Sequence, residues 1–326
     1  MIARRSMLGA LLAAGAASPG AMAQHRWQAA SGFAEGNYHT RNLRLFLEEV
    51  RVATGGALDI QLHSNGSLLP QPQIKRGVQQ GQVQLGEILL TAYANEDPIF
   101  DLDQVPGVVS SMADAQRLMA VRGPAIEQRL ARQGMHLLYL APWPLVGLAS
   151  QAPVNDAAAF RGLRLRTYSP ISTRFAQLMG ATAVLLPAPE VAQGFATGIV
   201  NAQLTTAPVA ADTQAWDVTR VFTRLNLATS NNAVFVNRRA FDALPEAHRE
   251  ALRVAARRAA ERAWAMAEEA DAAALARMRE RGMQVLDVSP ALAEALREPS
   301  RILTEDWLAR AGAEGRALLE AYRARA

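Results

Sequence analysis

Hydrophobic and polar positions in the first third of the chain change period several times. Apolar residues at Leu43, Phe46, Leu47 and Val50 follow helical spacing, whereas Leu58, Ile60 and Leu62 alternate with polar residues as in a half-buried strand. Gly55 and Gly56 lie between the two patterns and end the helix. The predicted elements are a strand at 27–31, a helix at 38–54, a strand at 58–62, a helix at 71–80 and a strand that opens at Val83. This βαβαβ order predicts parallel strands with helices packed on the sheet.

A second block of the chain repeats that order. Residues 74–83 can be laid over 191–200, and Gly77, Gly81 and Val83 then coincide with Gly194, Gly198 and Val200. The second glycine of each pair suits the left-handed position that ends a helix, and the first would permit close helix–sheet packing. The repeat predicts two similar α/β lobes. Its elements are a strand at 163–168, a helix at 172–179, a strand at 183–186, a helix at 190–196 and a strand at 199–204.

The longest helical pattern runs over 245–282, without an internal proline or glycine. At 1.5 Å per residue it would span about 55 Å, which is more than the width of one small lobe. We therefore expect one helix that crosses both lobes, while two shorter helices or a coiled coil with a partner remain alternatives. The tail, 290–326, is predicted to be helical with interruptions, and Trp307 and Tyr322 are its expected packing anchors.

Charge and composition remove several classes of function. The net charge is +4, yet arginines and acids interleave along the chain, and Lys75 is the single lysine. Without Arg4 and Arg5, 32 basic and 30 acidic residues remain, so the basic stripe of a nucleic-acid-binding protein is missing. The absence of cysteine excludes disulfides, thiol nucleophiles and cysteine-held metal clusters. No apolar run reaches the roughly 20 residues of a membrane-spanning helix.

The first 23 residues resemble an export signal. Arg4 and Arg5 precede a short apolar run, 7–17, and the small residues at 21–23 fit a cleavage site before Gln24. The twin arginine also fits a Tat signal, and an uncleaved amphipathic helix is the alternative. We expect a bacterial periplasmic protein. Solute capture, envelope hydrolysis and sensing are the classes of function that this location favours.

Known catalytic and metal motifs are missing. None of the five histidines lies three or four residues from another, and the chain has no nucleophile elbow and no glycine fingerprint for nucleotides. We therefore expect no cofactor, no metal and no enzymatic activity. A hydrolytic triad assembled from distant positions remains an alternative that the sequence leaves open.

The ends of the strands carry the most suggestive chemistry. Ligands of open α/β sheets bind beyond the carboxyl ends of the strands, which singles out Arg166, Tyr168 and residues 204–206. An arginine there can hold a carboxylate through two parallel hydrogen bonds, although most arginines of the chain must be solvated surface residues. Trp143 lies between two prolines and would either wall a pocket or pack at a crossover.

At these residues the chain resembles the solute-binding proteins of TRAP (tripartite ATP-independent periplasmic) transporters, the DctP-like family. The segments that resemble the family occur in the family's order over nearly the whole mature chain. The ordered set indicates the family more specifically than any single segment does. The segments are 55–68, 80–86, 160–166, 180–203 and 234–245.

The resemblance implies a two-lobed, periplasmic-binding-protein-like fold whose cleft closes on an organic acid. It places the carboxylate-binding arginine at Arg166 and a ligand-holding polar residue at Thr205. A second arginine that some members use would fall near Val146 and is missing, which favours a monocarboxylate, aromatic or 2-oxo acids included. The expected ligand contacts are Phe33, Asn37 and Tyr93 from the first lobe, and Trp143, Arg166, Tyr168 and Thr205 from the second.

The resemblance also implies how the chain is divided and what it works with. We expect lobe one to comprise 24–141 and 231–262, and lobe two to comprise 142–230 and 263–290, with 291–326 packed on both. The expected partners are an organic acid and the membrane subunits of a TRAP transporter, without nucleic acid and without membrane insertion. A ligand-sensing subunit of a signalling system is the alternative among binding proteins.

Overall fold

The structure is a computed structural model that describes residues 25–325. The predicted export signal, 1–23, lies outside these residues. The described chain forms eleven strands in two sheets. They are β1 (His25–Ser31), β2 (Leu58–His63), β3 (Leu85–Leu89), β4 (Met135–Pro142), β5 (Gly147–Ser150), β6 (Arg164–Thr167), β7 (Thr182–Leu185), β8 (Ala202–Thr205), β9 (Val221–Arg224), β10 (Asn231–Asn237) and β11 (Gln284–Asp287).

Helices of very different length cover these sheets. Short 3-10 turns precede several of them, among them Gln71–Gln73 and Pro98–Gln104. The helices are α1 (Tyr38–Ala53), α2 (Ile74–Gln79), α3 (Met112–Arg132), α4 (Pro170–Leu178), α5 (Val191–Ala196), α6 (Ala207–Asp212), α7 (Arg238–Asp242), α8 (Glu246–Glu280), α9 (Pro290–Ala295) and α10 (Arg297–Arg323).

The two sheets share one strand topology. The first has the order β2-β1-β3-β10-β4 and the second the order β7-β6-β8-β5-β9, with β11 added at the edge. In each, the first three strands are parallel and the fourth is antiparallel to the third. The parallel βαβαβ prediction is therefore confirmed in both halves, and two α/β lobes result. The fourth strand of each sheet comes from the other half of the chain, so the chain crosses between the lobes after β4 and after β9.

The second glycine of each repeated pair has the expected role, whereas the first packs against a residue outside the strands and not against the sheet. Gly81 and Gly198 follow α2 and α5 with φ of +74° and +71°, a conformation that other residues rarely adopt. Gly77 and Gly194 instead make room for a leucine, because an added Cβ would lie 2.4 Å from the side chain of Leu69 or 2.7 Å from that of Leu186. The same two constraints therefore shape corresponding positions of both lobes.

A single helix, α8, packs against both lobes as predicted. It contacts α1 and β4 of the first lobe and α6 and β11 of the second. Its 35 residues correspond to about 52 Å at 1.5 Å per residue. The alternative of two helices is wrong. Pro245 is the N-cap of α8 and not its first helical residue, since its ψ of 147° is extended.

The C-terminal helix α10 packs against elements of both lobes. It packs against the Pro98–Gln104 turn, α3 and α4. Trp307 is fully buried there and donates a hydrogen bond from Nε1 to the carbonyl of Pro98 at 2.7 Å. Tyr322 is buried as well. Both predicted anchors are thus in the core, while the proposed residue limits of the lobes stay a prediction.

Trp307 gives a test of this packing. Trp307→Ala should lower the free energy of unfolding by about 3–5 kcal/mol, because it leaves a large cavity and an unpaired carbonyl. Urea denaturation followed by circular dichroism measures the change. Val52→Ala is the control, since Val52 is 65% exposed and its truncation should change stability by no more than about 0.5 kcal/mol. Equal midpoints for the two variants would contradict the assigned packing.

Candidate functional site

A cavity of about 360 Å³ lies where the parallel strands of both sheets end. The last residues of β3, β7 and β8 line it, as do residues just beyond β1 and β6. This arrangement follows from the topology, because the carboxyl ends of both parallel triplets face the gap between the lobes. Six of the seven predicted ligand contacts line the cavity, namely Phe33, Tyr93, Trp143, Arg166, Tyr168 and Thr205.

Arg166 forms the charged part of the cavity wall. Its side chain is 4% exposed, and backbone carbonyls at the ends of the two neighbouring strands hold it. Nε donates to the carbonyl of Leu186 at 2.9 Å, and Nη1 donates to that of Leu204 at 3.0 Å. Nη2 has no hydrogen-bond partner among the described residues. The alternative of a solvated surface arginine is thus wrong.

The guanidinium lacks a counter-ion within the described part of the chain. No carboxylate of residues 25–325 lies within 4.0 Å of it, and none of the cavity-lining residues is acidic. Burial lowers the pKa of Arg166 to about 10, because desolvation penalises the charged form. Arg166 therefore remains a cation at neutral pH in surroundings that favour an incoming anion.

Tyr168 supports Arg166 from the same strand end. The guanidinium carbon lies 5.4 Å from the centroid of its ring, within the range of a cation–π contact. The Tyr168 hydroxyl donates to Oε1 of Gln104 at 2.8 Å, and burial raises the pKa of Tyr168. Tyr168 is consequently a neutral residue with a fixed orientation.

Trp143 combines the two roles proposed from the sequence. Its backbone N–H donates to the carbonyl of Ser230 at 2.8 Å, which joins the two crossover segments. Its indole Nε1 donates to Oδ1 of Asn232 at 2.8 Å, and its ring lies 5.1 Å from that of Phe33. Trp143 is therefore a packed crossover residue and a rigid wall of the cavity at once.

A buried polar network lies behind Trp143. Glu87 accepts hydrogen bonds from Asn232 at 2.9 Å and from Ser31 at 2.6 Å. Burial raises the pKa of Glu87 and lowers that of His39, whose Nδ1 lies 3.5 Å from the carboxylate. The network fixes the orientation of Asn232 and, through it, that of the tryptophan ring.

Two adjacent threonines lie at the end of β8, and the hydrogen bonding of their hydroxyl groups differs. The hydroxyl of Thr205 donates to the carbonyl of Thr206 at 3.3 Å. The hydroxyl of Thr206 is buried and has no partner among the described residues, although Thr206 precedes α6 at the N-cap position. Both residues line the cavity. Thr206 was missed within the singled-out segment 204–206 because the choice of Thr205 came from the resemblance alone.

The lobe-one side of the cavity is less polar. Tyr93 donates from its hydroxyl to the carbonyl of Pro72 at 3.4 Å, and burial raises its pKa to about 12. Gln71, Asn95 and Ser230 are polar residues of the lining that sequence reasoning missed. Each lies in a connecting segment, where no periodicity marks the direction of a side chain.

Asn37 lies outside the cavity lining and has a different role. Its Oδ1 accepts from the backbone N–H of His39 at 2.9 Å, so that it caps α1. Its Nδ2 donates to Oδ2 of Asp212 at 2.6 Å, at the end of α6 in the other lobe. The structure thus does not place Asn37 among the residues that line the cavity, and its contact with a ligand stays a prediction.

The residues 25–325 carry neither a metal cluster nor a bilayer-spanning helix. No three histidine, aspartate or glutamate side chains of this part lie close enough to hold a metal ion together. None of its helices combines the length and apolar character that crossing a membrane requires.

Comparison with known proteins gives consistent matches. The sequence profile DctP, described as bacterial extracellular solute-binding protein, family 7, matches residues 30–310. A curated solute-binding protein of Albidiferax ferrireducens is 23% identical over 260 residues, which are 78% of this chain and 77% of that protein.

Solved structures match more closely. DctP7 of Bordetella pertussis is an extracytoplasmic solute receptor that binds pyroglutamic acid. It is 39% identical, with a TM-score of 0.90 over 91% of this chain and 99% of its own. DctP6 of the same organism also binds pyroglutamic acid and is 36% identical, with a TM-score of 0.89 and the same shares of each chain. A marine metagenome TRAP solute-binding protein specific for pyroglutamate is 30% identical, with a TM-score of 0.89 over 92% and 99%. The predicted periplasmic-binding-protein-like fold is thereby confirmed.

The role of Asn37 as the N-cap of α1 can be tested by measuring the stability of variants. Asn37→Ala removes the N-cap of α1 and should lower the free energy of unfolding by about 0.5–2 kcal/mol. In Asn37→Ser the cap is kept and only the bond to Asp212 is lost, so this variant should retain most of the stability. Urea unfolding of the three proteins distinguishes these effects. If Asn37→Ala is as stable as the wild type, Asn37 does not cap α1.

Proposed function

Because the chain belongs to the DctP family of bacterial extracellular solute-binding proteins, we propose that it captures a small organic monocarboxylate between its lobes and delivers it to the membrane subunits of a TRAP transporter. The family assignment confirms the resemblance seen in the sequence. The observation that carries the proposal for the ligand is the buried Arg166 cation, which has two backbone partners and no acid beside it. An anionic ligand would supply the missing counter-charge.

The single charge favours a monocarboxylate over a dicarboxylate. Arg166 is the one formally charged side chain among the cavity-lining residues of the described chain. A second carboxylate would be desolvated without a cation to offset the loss of hydration, which is costly in a cavity of low polarity. Val146, where the resemblance would place a second arginine, is an apolar residue that is 6% exposed.

We extend the proposal to pyroglutamate, a five-membered cyclic monocarboxylate. Support comes from the three solved relatives at 30–39% identity, all of which bind this acid. The lining offers apolar surface for a small ring from Phe33, Ile88, Leu89, Trp143 and Val209. One cation for the carboxylate and apolar walls for the ring match the two ends of such a molecule.

Capture would proceed by a shift between open and closed arrangements of the lobes. A ligand that contacts both lobes only when they are closed favours the closed state by its differential affinity. The crossover segments, which Trp143 and Ser230 join, are the proposed hinge, and 24–141 with 231–262 would move against 142–230 with 263–290. The proposal includes export to the periplasm, with residues 1–23 as the signal.

Removal of the guanidinium tests the binding role. Arg166→Ala should weaken binding of L-pyroglutamate by about 30-fold to several thousand-fold, as expected for the loss of one partner of a buried charge pair. Isothermal titration calorimetry measures the dissociation constant. Arg164→Ala is the matched control on β6, because Arg164 is exposed and donates to the carbonyl of Gly198. An unchanged dissociation constant for Arg166→Ala would remove Arg166 from the site.

The pH dependence of binding follows from the same group. A bound carboxylate favours charged Arg166 and so raises its pKa above the ligand-free value of about 10. The affinity should therefore be constant from about pH 5 to 9, and it should fall as the pH rises through about 10, where free Arg166 loses its proton. Tyr93 and Tyr168 stay neutral over this plateau because burial raises the pKa of both. Calorimetry between pH 5 and 11 checks the profile, and a steep change between pH 6 and 8 would assign control to another group.

A further inference from the structure

Gln71 presents an unused amide group on the lobe-one side of the cavity. It opens the turn Gln71–Gln73, is half-buried and lines the cavity. Its Oε1 is buried and has no hydrogen-bond partner, and no partner of its Nε2 occurs among the described residues. A buried acceptor without a partner is costly, so a polar side chain in this state is suited to a ligand.

Gly32 determines where this amide lies. A Cβ on Gly32 would meet Cγ, Cβ and Cδ of Gln71 at 2.6, 2.8 and 2.8 Å, so the glutamine side chain lies directly on the glycine backbone. Gly32 is not among the residues with positive φ, and the backbone conformation alone would allow alanine. The glycine is therefore needed for the close approach of Gln71.

Hydrogen bonds join the loop after β1 to the segment that leads to Gln71. Asn65 donates from its backbone N–H to the carbonyl of Phe33 at 2.7 Å, and Gly66 donates in the same way to Ser31 at 2.9 Å. The Tyr93 hydroxyl donates to the carbonyl of Pro72, the residue after Gln71. The Gln71 side chain is thus placed by its contact with Gly32, and its amide has no hydrogen-bond partner among the described residues.

We infer that Gln71 is a specificity residue that recognises a cyclic amide in the ligand, and that Gly32 is its positioning residue. This inference rests on the proposed function, in which Arg166 holds the carboxylate. A primary carboxamide has a donor and an acceptor side by side. A lactam ring holds its amide cis, so its N–H and C=O lie on one edge and match that pair. Two hydrogen bonds can then form, one from Nε2 to the lactam oxygen and one from the lactam nitrogen to Oε1.

The chemistry predicts which acids are rejected. The corresponding lactone, 5-oxotetrahydrofuran-2-carboxylate, has the same ring and carboxylate but an oxygen in place of the N–H. It leaves Oε1 unpaired and places two acceptors against the amide edge. A site that uses hydrogen bonds discriminates strongly against a ligand that lacks one of them. We expect wild-type protein to prefer L-pyroglutamate over the lactone acid by about 10- to 100-fold.

Calorimetry with both acids tests the inference. Gln71→Met keeps the length of the side chain and removes its hydrogen bonds, so it should weaken pyroglutamate binding by about 10- to 100-fold. Lactone binding should change by less than about threefold, and the preference should fall to near one. The ratio of the two affinities does not depend on the fraction of folded protein. Gln71→Glu keeps an acceptor for the lactam N–H and loses the donor, so it should weaken the binding of both acids while the lactam is still preferred.

The positioning role has a matched pair of variants in one loop. Gly32→Ala should reduce the preference for the lactam, because its Cβ displaces Gln71. Gly36→Ala should leave the preference unchanged, because a Cβ there meets no atom within 4 Å. Equal preferences in these two variants would overturn the role of Gly32.

The outcomes separate the inference from the proposed function. If Gln71→Met retains the wild-type preference while Arg166→Ala loses binding, the inference about Gln71 is wrong and the proposed function stands. If wild-type protein binds neither acid, the proposed function is wrong as to ligand and the inference falls with it. If pyroglutamate binding depends on both Arg166 and Gln71, both are supported.

Discussion

A desolvated guanidinium without a counter-ion is the feature on which the proposed binding of an anion depends. Arg166 is kept in this state by the carbonyls of Leu186 and Leu204, which satisfy two of its nitrogens without neutralising its charge. An internal carboxylate would remove the attraction for a ligand, and full exposure to solvent would screen it. In the proposed function, this buried cation would make the cavity selective for anions.

The duplicated topology explains why the cavity has two unlike walls. Parallel triplets place strand ends from both lobes at one gap, and the segments that lead into the exchanged fourth strands bring Trp143 and Ser230 into its lining. Lobe two contributes the charge and the Thr206 hydroxyl, whereas lobe one contributes apolar surface and the Gln71 amide. A ligand with an anionic end and an amide end would contact both lobes. Because each end binds a different lobe, recognition of the ligand would be coupled to lobe closure.

The expected ligand contacts that lie at the end of a regular strand are also found in the lining of the cavity. Arg166 and Tyr168 follow from strand alternation and the rule for parallel sheets, whereas Thr205 was chosen within 204–206 from the family resemblance, and all three line the cavity. Asn37 lies outside the lining and caps α1, and a polar residue before a helix has the same sequence pattern whether it caps the helix or faces a ligand. Gln71 was missed because its position depends on Gly32, 39 residues earlier in the chain.

The sequence by itself determined the periodic features: two βαβαβ units, the helix across both lobes, the glycines at φ near +70° and the family. These depend on local spacing and backbone conformation, which neighbouring residues encode. Only the tertiary structure decided which side chains remain without partners, because hydrogen bonds such as those of Thr205 and Asn37 join groups whose geometry sequence spacing does not specify. Within residues 25–325, the hydroxyl of Thr206 and the amide of Gln71 have no hydrogen-bond partner and Arg166 has no counter-ion. Each of these absences depends on what all the surrounding segments supply.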